Sequence, residues 1–276
     1  LLSREVAADG PVEFRIRSRY RLSAKSTLEQ DMIFHADSPE VIFETRMDWQ
    51  DEHRFLKTAF DTTIHTDYAS QEVQFGYIRR VTNRNTEIEK AKFEVSNHKY
   101  TDLSDTRYGA AVLNDCKYGI SVQDGQMRLS LHKGGCMPDF RGDKGIHECT
   151  YAFLPHMGSL SAANVIQPAY RLNEKPLIVE GSLPMESLLS LGTDHVIVET
   201  VKPLERTEGE ALERGFILRL YEAEGAADTV SLHFGVPVKG LALTNMLEEV
   251  QQEYGAVRQL TLEFGPFEIK TLKVSY

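Results

Sequence analysis

From Phe14 to Leu22 four arginines, Arg15, Arg17, Arg19 and Arg21, alternate strictly with Phe14, Ile16, Ser18, Tyr20 and Leu22. A period of two places the cations on one face of an extended strand and a mostly apolar set on the other, a sorting that no helix achieves. The cationic face is expected to be the solvated outer face of a sheet. Similar strand chemistry recurs along the chain. Val12–Tyr20, Ser26–Phe34, Val41–Trp49, Leu56–Thr62 and Glu72–Gly76 are rich in Val, Ile, Phe, Thr and Tyr, and turn signals such as Asp37-Ser38-Pro39 separate them. Ala111–Asn114, Ile120–Val122, Met127–Leu131 and Cys149–Leu154 are too short and too closely punctuated for helices and predict further strands. Strands at such regular spacing predict packed sheets, an all-β chain rather than a βαβ architecture.

Helix signals are sparse. Ser161-Ala162-Ala163-Asn164 offers a Ser cap before a short apolar turn, and Asn245–Glu253 places Met246, Leu247 and Val250 at helical spacing behind Thr244. Pro176 and Pro184 punctuate the chain near Leu183–Leu191, where a boundary is expected between residues 1–185 and 186–276. The second block carries strand patterns at His195–Val201, Gly215–Tyr221, Thr229–Phe234, Ala256–Phe264 and Phe267–Val274, and has the look of a small β-sandwich. The charged stretch Pro203–Arg214 reads as a long exposed loop.

The 276 residues suffice for two domains with real cores. A formal net charge of −10 repels phosphate backbones and anionic headgroups, so nucleic acid and membrane surfaces are not expected as partners. No apolar run approaches the roughly 20 residues that span a bilayer. The opening LLSREVAADG lacks the pattern of a secretory leader, and a start without Met suggests an excised piece of a longer protein. Cys116, Cys136 and Cys149 are odd in number and widely spaced, with no C-x-x-C pair. Three free thiols in a reducing, cytoplasmic compartment are expected, although a thiolate metal site near His132 and His147 is the competing arrangement.

Four dense signatures stand out: QFGYIRRVTNRNT at Gln74–Thr86, AKFEVSNHKYTDLS at Ala91–Ser104, YGAAVLNDCKYG at Tyr108–Gly119 and PDFRGDKGIHECTYAFLPH at Pro138–His156. Together they resemble the C-terminal β-rich region of family 38 glycoside hydrolases, the retaining, zinc-dependent α-mannosidases. VIVETVKP at Val196–Pro203, LRLYEAEG at Leu218–Gly225 and FGPFEIKTLKV at Phe264–Val274 extend the resemblance toward the end. In the first signature Gln74, Phe75, Gly76, Arg80, Thr82, Asn85 and Thr86 match the family passage. Val81, Asn83 and Glu87-Ile88-Glu89 depart from its Pro, His and Ser-Trp-Asp.

The resemblance implies a large galactose-mutarotase-like β-sandwich followed by a smaller one. It also implies that the nucleophile and most zinc ligands lie in an N-terminal catalytic domain of the same polypeptide. No catalytic residue and no metal are then expected here; the zinc belongs to the whole enzyme, with an α-mannoside as substrate. His35-Ala36-Asp37 imitates the family's H-x-D motif but sits at a turn signal. Arg80 presents a fork of donors suited to a sugar, to a carboxylate of the catalytic domain, or to an ordinary salt bridge. Asp139, Arg141, Asp143 and His147 lie in or beside a loop marked by Gly134, Gly135, Gly142 and Gly145, and are the candidates for substrate-hydroxyl or supporting contacts. His98 and His156 read as polar core residues, Asn114-Asp115 as a tight connection and Trp49 as a buried residue. Excision from a larger enzyme predicts an exposed apolar patch and self-association into a homo-oligomer. Two other classes remain open: a carbohydrate-binding module, which would need exposed aromatic platforms, and a mutarotase-like enzyme, which would need a paired His and Glu in a concave pocket.

Overall fold

The computed structural model describes residues 1–182, 187–205 and 214–276. In chain order they form β1 (Ser3–Asp9), β2 (Glu13–Arg21), β3 (Thr27–His35), β4 (Val41–Trp49), β5 (Phe55–Asp61), β6 (Tyr68–Val73), β7 (Gly76–Val81), α1 (Glu87–Ala91), β8 (Val95–Ser96), β9 (Tyr100–Ser104), β10 (Tyr108–Asn114), β11 (Gly119–Gln123), β12 (Gln126–Lys133), β13 (Gly145–Met157) and α2 (Ile166–Asn173). There follow β14 (Leu189–Leu191), β15 (Val196–Pro203), β16 (Gly215–Glu222), β17 (Asp228–Phe234), β18 (Gly240–Thr244), β19 (Val250–Glu253), β20 (Gln259–Phe264) and β21 (Ile269–Ser275). Two compact units result: Leu1–Gln74 with Ile78–Pro176, and Phe75–Tyr77 with Leu177–Tyr276. The expected boundary between 185 and 186 falls at residues outside the described ones, as does most of the loop expected at Pro203–Arg214.

In the first unit a nine-stranded sheet runs β1-β2-β3-β4-β13-β10-β9-β6-β7 and a four-stranded sheet runs β5-β12-β11-β8. The alternation along β12 shows how they close on each other. Met127, Leu129 and Leu131 are buried, whereas Arg128 and Ser130 between them and His132 after them are not. They meet Met47, Leu103, Val112 and Tyr151 from the larger sheet in one core. Phe60 on β5 stacks on Phe153 of β13 with centroids 4.9 Å apart. β10 is the exception to alternation: all six residues from Gly109 to Asn114 are buried, and α2 packs against this strand. A strand covered on both faces needs a continuous apolar run, and GAAVLN supplies one up to its last, polar residue.

The arginine row on β2 is not simply solvated. Cross-strand register sets Arg17 against Asp31 and Arg19 against Glu29 of β3. Asp31, only 5% exposed, receives Arg17 Nη2 and Arg15 Nη1 at 2.7 and 2.9 Å, and Arg15 also reaches Glu13 and Glu44. The guanidiniums hold the Asp31 carboxyl below the usual carboxylate range, Arg17 chiefly and Arg15 next, against the opposing effect of burial.

Several local expectations change. The strand expected at Glu72–Gly76 is divided, because Phe75 adopts a positive φ of 61° and turns the chain between β6 and β7. The helix expected at Asn245–Glu253 is instead a turn and strand β19, paired with β18. Asn245 Oδ1 accepts the amides of Leu247 and Glu249 at 2.9 and 3.0 Å, and this side-chain competition for backbone donors favours a turn over a helix. Ser161–Asn164 forms a turn, with α2 beginning only at Ile166. The sequence reading missed α1, although its signal is local: Thr86 and Glu89 form a reciprocal capping box.

The second unit has a three-stranded sheet, β14-β17-β20, and a five-stranded sheet, β15-β16-β21-β18-β19. Leu218, Leu220, Val230, Leu232, Leu272 and Val274 share its core. At one end of β16 the fully buried Glu222 carboxylate accepts four backbone amides, those of Glu224, Gly225, Ala226 and Phe267, at 2.8–3.1 Å.

Candidate functional site

The loop from Gly134 to Gly145 joins β12 to β13. Its approach to the body of the unit is close: a Cβ on Gly134 would lie 2.4 Å from the Asp51 carbonyl and 2.7 Å from Trp49 Nε1, so only glycine fits. Asp139 organises the loop tip, its Oδ1 accepting the Arg141 amide at 2.9 Å while Oδ2 pairs with Arg141 Nη2 at 3.1 Å. Both side chains are exposed, and the Arg141 guanidinium holds the Asp139 carboxyl below its ordinary range. Asp143 has a positive φ of 52°, and its carbonyl lies 2.7 Å from His147 Nε2. Met137 and Phe140 project from this loop with 75% and 77% of their surface exposed.

Behind the loop three rings pack at tilted angles. His147 lies 4.2 Å from His132, and His132 lies 4.9 Å from Trp49, which is buried as expected. His132 Nε2 and Trp49 Nε1 are buried with no hydrogen-bond partner among the described residues. Burial, with a smaller contribution from His147, pushes the His132 imidazole from 6.5 down to about 4. The folded state therefore holds His132 neutral, while the unfolded chain takes up a proton below its ordinary value. Stability should fall as pH drops from about 6.5 toward 4. Urea titrations across that window are expected to show a shallower pH dependence for His132→Phe than for the natural chain; an unchanged slope would refute the assignment.

Arg80 stands apart from the loop. Its Nη1 donates to Gln71 Oε1 at 2.5 Å and to the Ser96 carbonyl at 2.9 Å. These partners are neutral rather than the carboxylate of a salt bridge, and burial lowers the guanidinium's pKa. The structure thus joins Asp139 to Arg141 and Asp143 to His147, and anchors Arg80 on β6 and β8.

A buried polar relay occupies the centre of the large sheet. His156 Nε2 lies 2.8 Å from Asp102 Oδ1, with both side chains at most 5% exposed, and Ser104 Oγ donates to the other Asp102 oxygen. Gly109 pairs with His156 across the ladder, where a Cβ would meet the imidazole at 2.3 Å. His156 and Glu40 also line one cleft of about 510 Å³ beside α2, with Arg171 3.4 Å from Glu40. This is a His and a Glu in one concavity, but their remaining atoms, His156 Nδ1 and Glu40 Oε2, are enclosed and without partners. General acid–base catalysis needs a proton-carrying atom within reach of substrate, and neither presents one. His98 takes a different place: its Nδ1 lies 2.8 Å from Gln74 Nε2 and its ring 4.8 Å from that of Tyr118. Asn114 does close a tight connection, accepting the Lys117 amide at 2.8 Å and donating to the His98 carbonyl at 2.5 Å.

His35 ends β3 and Asp37 lies in the following turn. Among the described residues they take no part in a group of three potential metal ligands. The one such group is Glu52, His53 and Cys136. The family's H-x-D chemistry therefore does not fit His35 and Asp37. All three cysteines are free thiols, and burial pushes that of Cys149 up to about 11.

Comparison with known proteins agrees with this architecture. The glycosyl hydrolases family 38 C-terminal domain matches residues 3–141, half of the chain, and the family 38 C-terminal beta sandwich domain matches residues 195–272. The chain belongs to glycosyl hydrolase family 38. Alpha-mannosidase 2C1 of Homo sapiens is 38% identical over 259 residues, which cover 91% of this chain and 25% of the human protein. Alpha-mannosidase G of Dictyostelium discoideum is 36% identical over 284 residues, covering 98% of this chain and 26% of that protein. The family 38 chain thus spans about a quarter of the length of the curated relatives it matches. The crystal structure of an alpha-mannosidase from Enterococcus faecalis V583 superposes over 98% of the chain and 34% of its own, with a TM-score of 0.79 at 16% identity, and shows the same fold.

Proposed function

We propose that this chain is the non-catalytic C-terminal portion of a retaining, zinc-dependent α-mannosidase. It supplies scaffold, an interface to an N-terminal catalytic domain of the same polypeptide, and one wall of the mannoside pocket. The observation that carries the reading is the match of both C-terminal family domains to this chain, within relatives named α-mannosidases that are about four times as long. In that enzyme a carboxylate nucleophile and an acid/base carboxylate act across the scissile bond, while zinc holds substrate hydroxyls. Those groups lie in the catalytic domain, so no step is assigned to a residue here. Free thiols support a cytoplasmic setting. No helix among the described residues is long and apolar enough to cross a membrane.

The interface falls on the Gly134–Gly145 loop. Met137 and Phe140 supply exposed apolar area flanked by the Asp139–Arg141 pair, the composition of a docking surface rather than of a solvated loop. Exposed apolar area also favours self-association of the chain when it stands alone. Arg80 is the candidate proposed for substrate contact, a reading supported by a guanidinium that has neutral partners on one nitrogen and further donors to offer.

An assay with an activated α-mannoside tests the reading. The purified chain alone is expected to show no turnover above background. In the whole enzyme, Arg80→Ala is expected to lower kcat/KM by about tenfold, the effect of one lost charge-assisted hydrogen bond in the transition state. Turnover by the isolated chain would overturn the non-catalytic assignment, and full activity of the Arg80 variant would remove this chain from the pocket wall.

A further inference from the structure

Glu52 and His53 lie between β4 and β5, and Cys136 lies in the loop after β12, more than eighty residues away in sequence. Two backbone hydrogen bonds clamp the segments together: the His53 amide donates to the Gly134 carbonyl at 2.8 Å, and the Gly134 amide donates to the Arg54 carbonyl at 2.9 Å. They continue the β5–β12 ladder, in which Phe55 faces Lys133. As a result one ligand atom each of Glu52, His53 and Cys136 lies within 4.8 Å of the others. From this juxtaposition we propose that Glu52, His53 and Cys136 form a binding site for a thiophilic divalent cation of the zinc type.

The donor set selects the ion. A thiolate, an imidazole and one carboxylate suit zinc, whereas calcium and magnesium require mostly oxygen. With bonds of about 2.0–2.3 Å, ligand atoms around tetrahedral zinc stand roughly 3.3–3.8 Å apart. With all separations within 4.8 Å, the ligand atoms need to contract by no more than about 1.5 Å, a side-chain adjustment open to exposed Glu52 and His53 and part-exposed Cys136 while the backbone clamp holds. Three protein ligands leave the fourth position to water. Cys136 binds as the thiolate, its proton passing to solvent.

Lys144 is the site's present counter-ion. Its ammonium pairs with Glu52 Oε1, and this contact holds the Glu52 carboxyl below its ordinary range. A divalent ion takes the carboxylate from the ammonium, and Lys144, at the free end of a flexible side chain, turns to solvent. The lysine is therefore a competitor, and its removal should tighten metal binding. The absence of any C-x-x-C pair hides the site from the sequence, because two of its ligands come from one turn and the third from a distant loop brought in by strand pairing.

The inference is independent of the mannosidase reading and is tested on the reduced, metal-stripped chain without an activity assay. Calorimetric titration with zinc is expected to show one saturable site per chain. Cadmium is expected to give one thiolate-to-metal charge-transfer band in the ultraviolet. Cys136→Ser should abolish the band, His53→Ala should weaken zinc binding at least tenfold, and Lys144→Met should tighten it severalfold, with circular dichroism confirming that each variant is folded. Absence of saturable binding, a band that survives Cys136→Ser, unchanged affinity in His53→Ala, or unchanged or weaker affinity in Lys144→Met would each overturn the site.

Discussion

Glu222→Ala is expected to destabilise the second unit by about 3–5 kcal/mol, the scale for removing a buried charged acceptor and leaving its donors unpaired. The buried carboxylate is the acceptor for the amides of Glu224, Gly225, Ala226 and Phe267, which gather the turn after β16 and the turn before β21 around one side chain. Alanine leaves four backbone donors without that acceptor in an interior that offers no replacement. Glu222→Gln should cost roughly half as much, because the carboxamide oxygen can still take the three amides that Glu222 Oε2 serves, while the NH2 group opposes the Glu224 amide. Urea unfolding gives the free energies, and hydrogen exchange at Gly225, Ala226 and Phe267 locates them. A loss below about 1 kcal/mol with unchanged exchange at these amides would show that solvent or neighbouring groups satisfy the turn equally well.

The second large effect lies in the first unit. Asp31→Ala is expected to cost about 2–3 kcal/mol, below the ~3–5 kcal/mol of a fully buried broken pair because Arg17 stays 35% exposed and Arg15 keeps Glu13 and Glu44. The pH dependence identifies the cause. The folded-state pKa of Asp31 is depressed, so its contribution is fully present above the unfolded carboxylate value near about 4 and is lost as pH falls through the lower folded value. Denaturation at neutral pH should therefore separate natural chain and variant widely, and the gap should narrow below about pH 4. A gap that stays constant into acid would assign the loss to packing rather than to the ion pairs.

The all-β class was legible because strand formation is local. Short runs of β-branched and aromatic residues bounded by turn signals give the same answer whatever packs on them, and β4 spans the expected Val41–Trp49 without change. Elements with competing local signals were misread. At Asn245–Glu253 a short apolar spacing suggests a helix, yet the Asn245 side chain captures the amides that a helix would need. At the turn between β6 and β7 Gly76 is the only local mark, and the residue with φ of 61° is Phe75 rather than the glycine, so the break inside Glu72–Gly76 was not legible.

By itself the sequence determined the strand-rich class and, through its four dense signatures, membership of family 38. Tertiary structure decided which polar groups meet. Asp102 and His156 are 54 residues apart, and Glu52 and Cys136 lie on different connections. Antiparallel pairing across non-consecutive strands makes them neighbours, and local preference along the chain carries no information about such register. The same distinction separates the arginine row as read from the row as found. Alternation placed the cations on one face, but only the alignment of β2 with β3 and β4 set Asp31 between Arg15 and Arg17 and turned an expected solvated surface into a charge ladder.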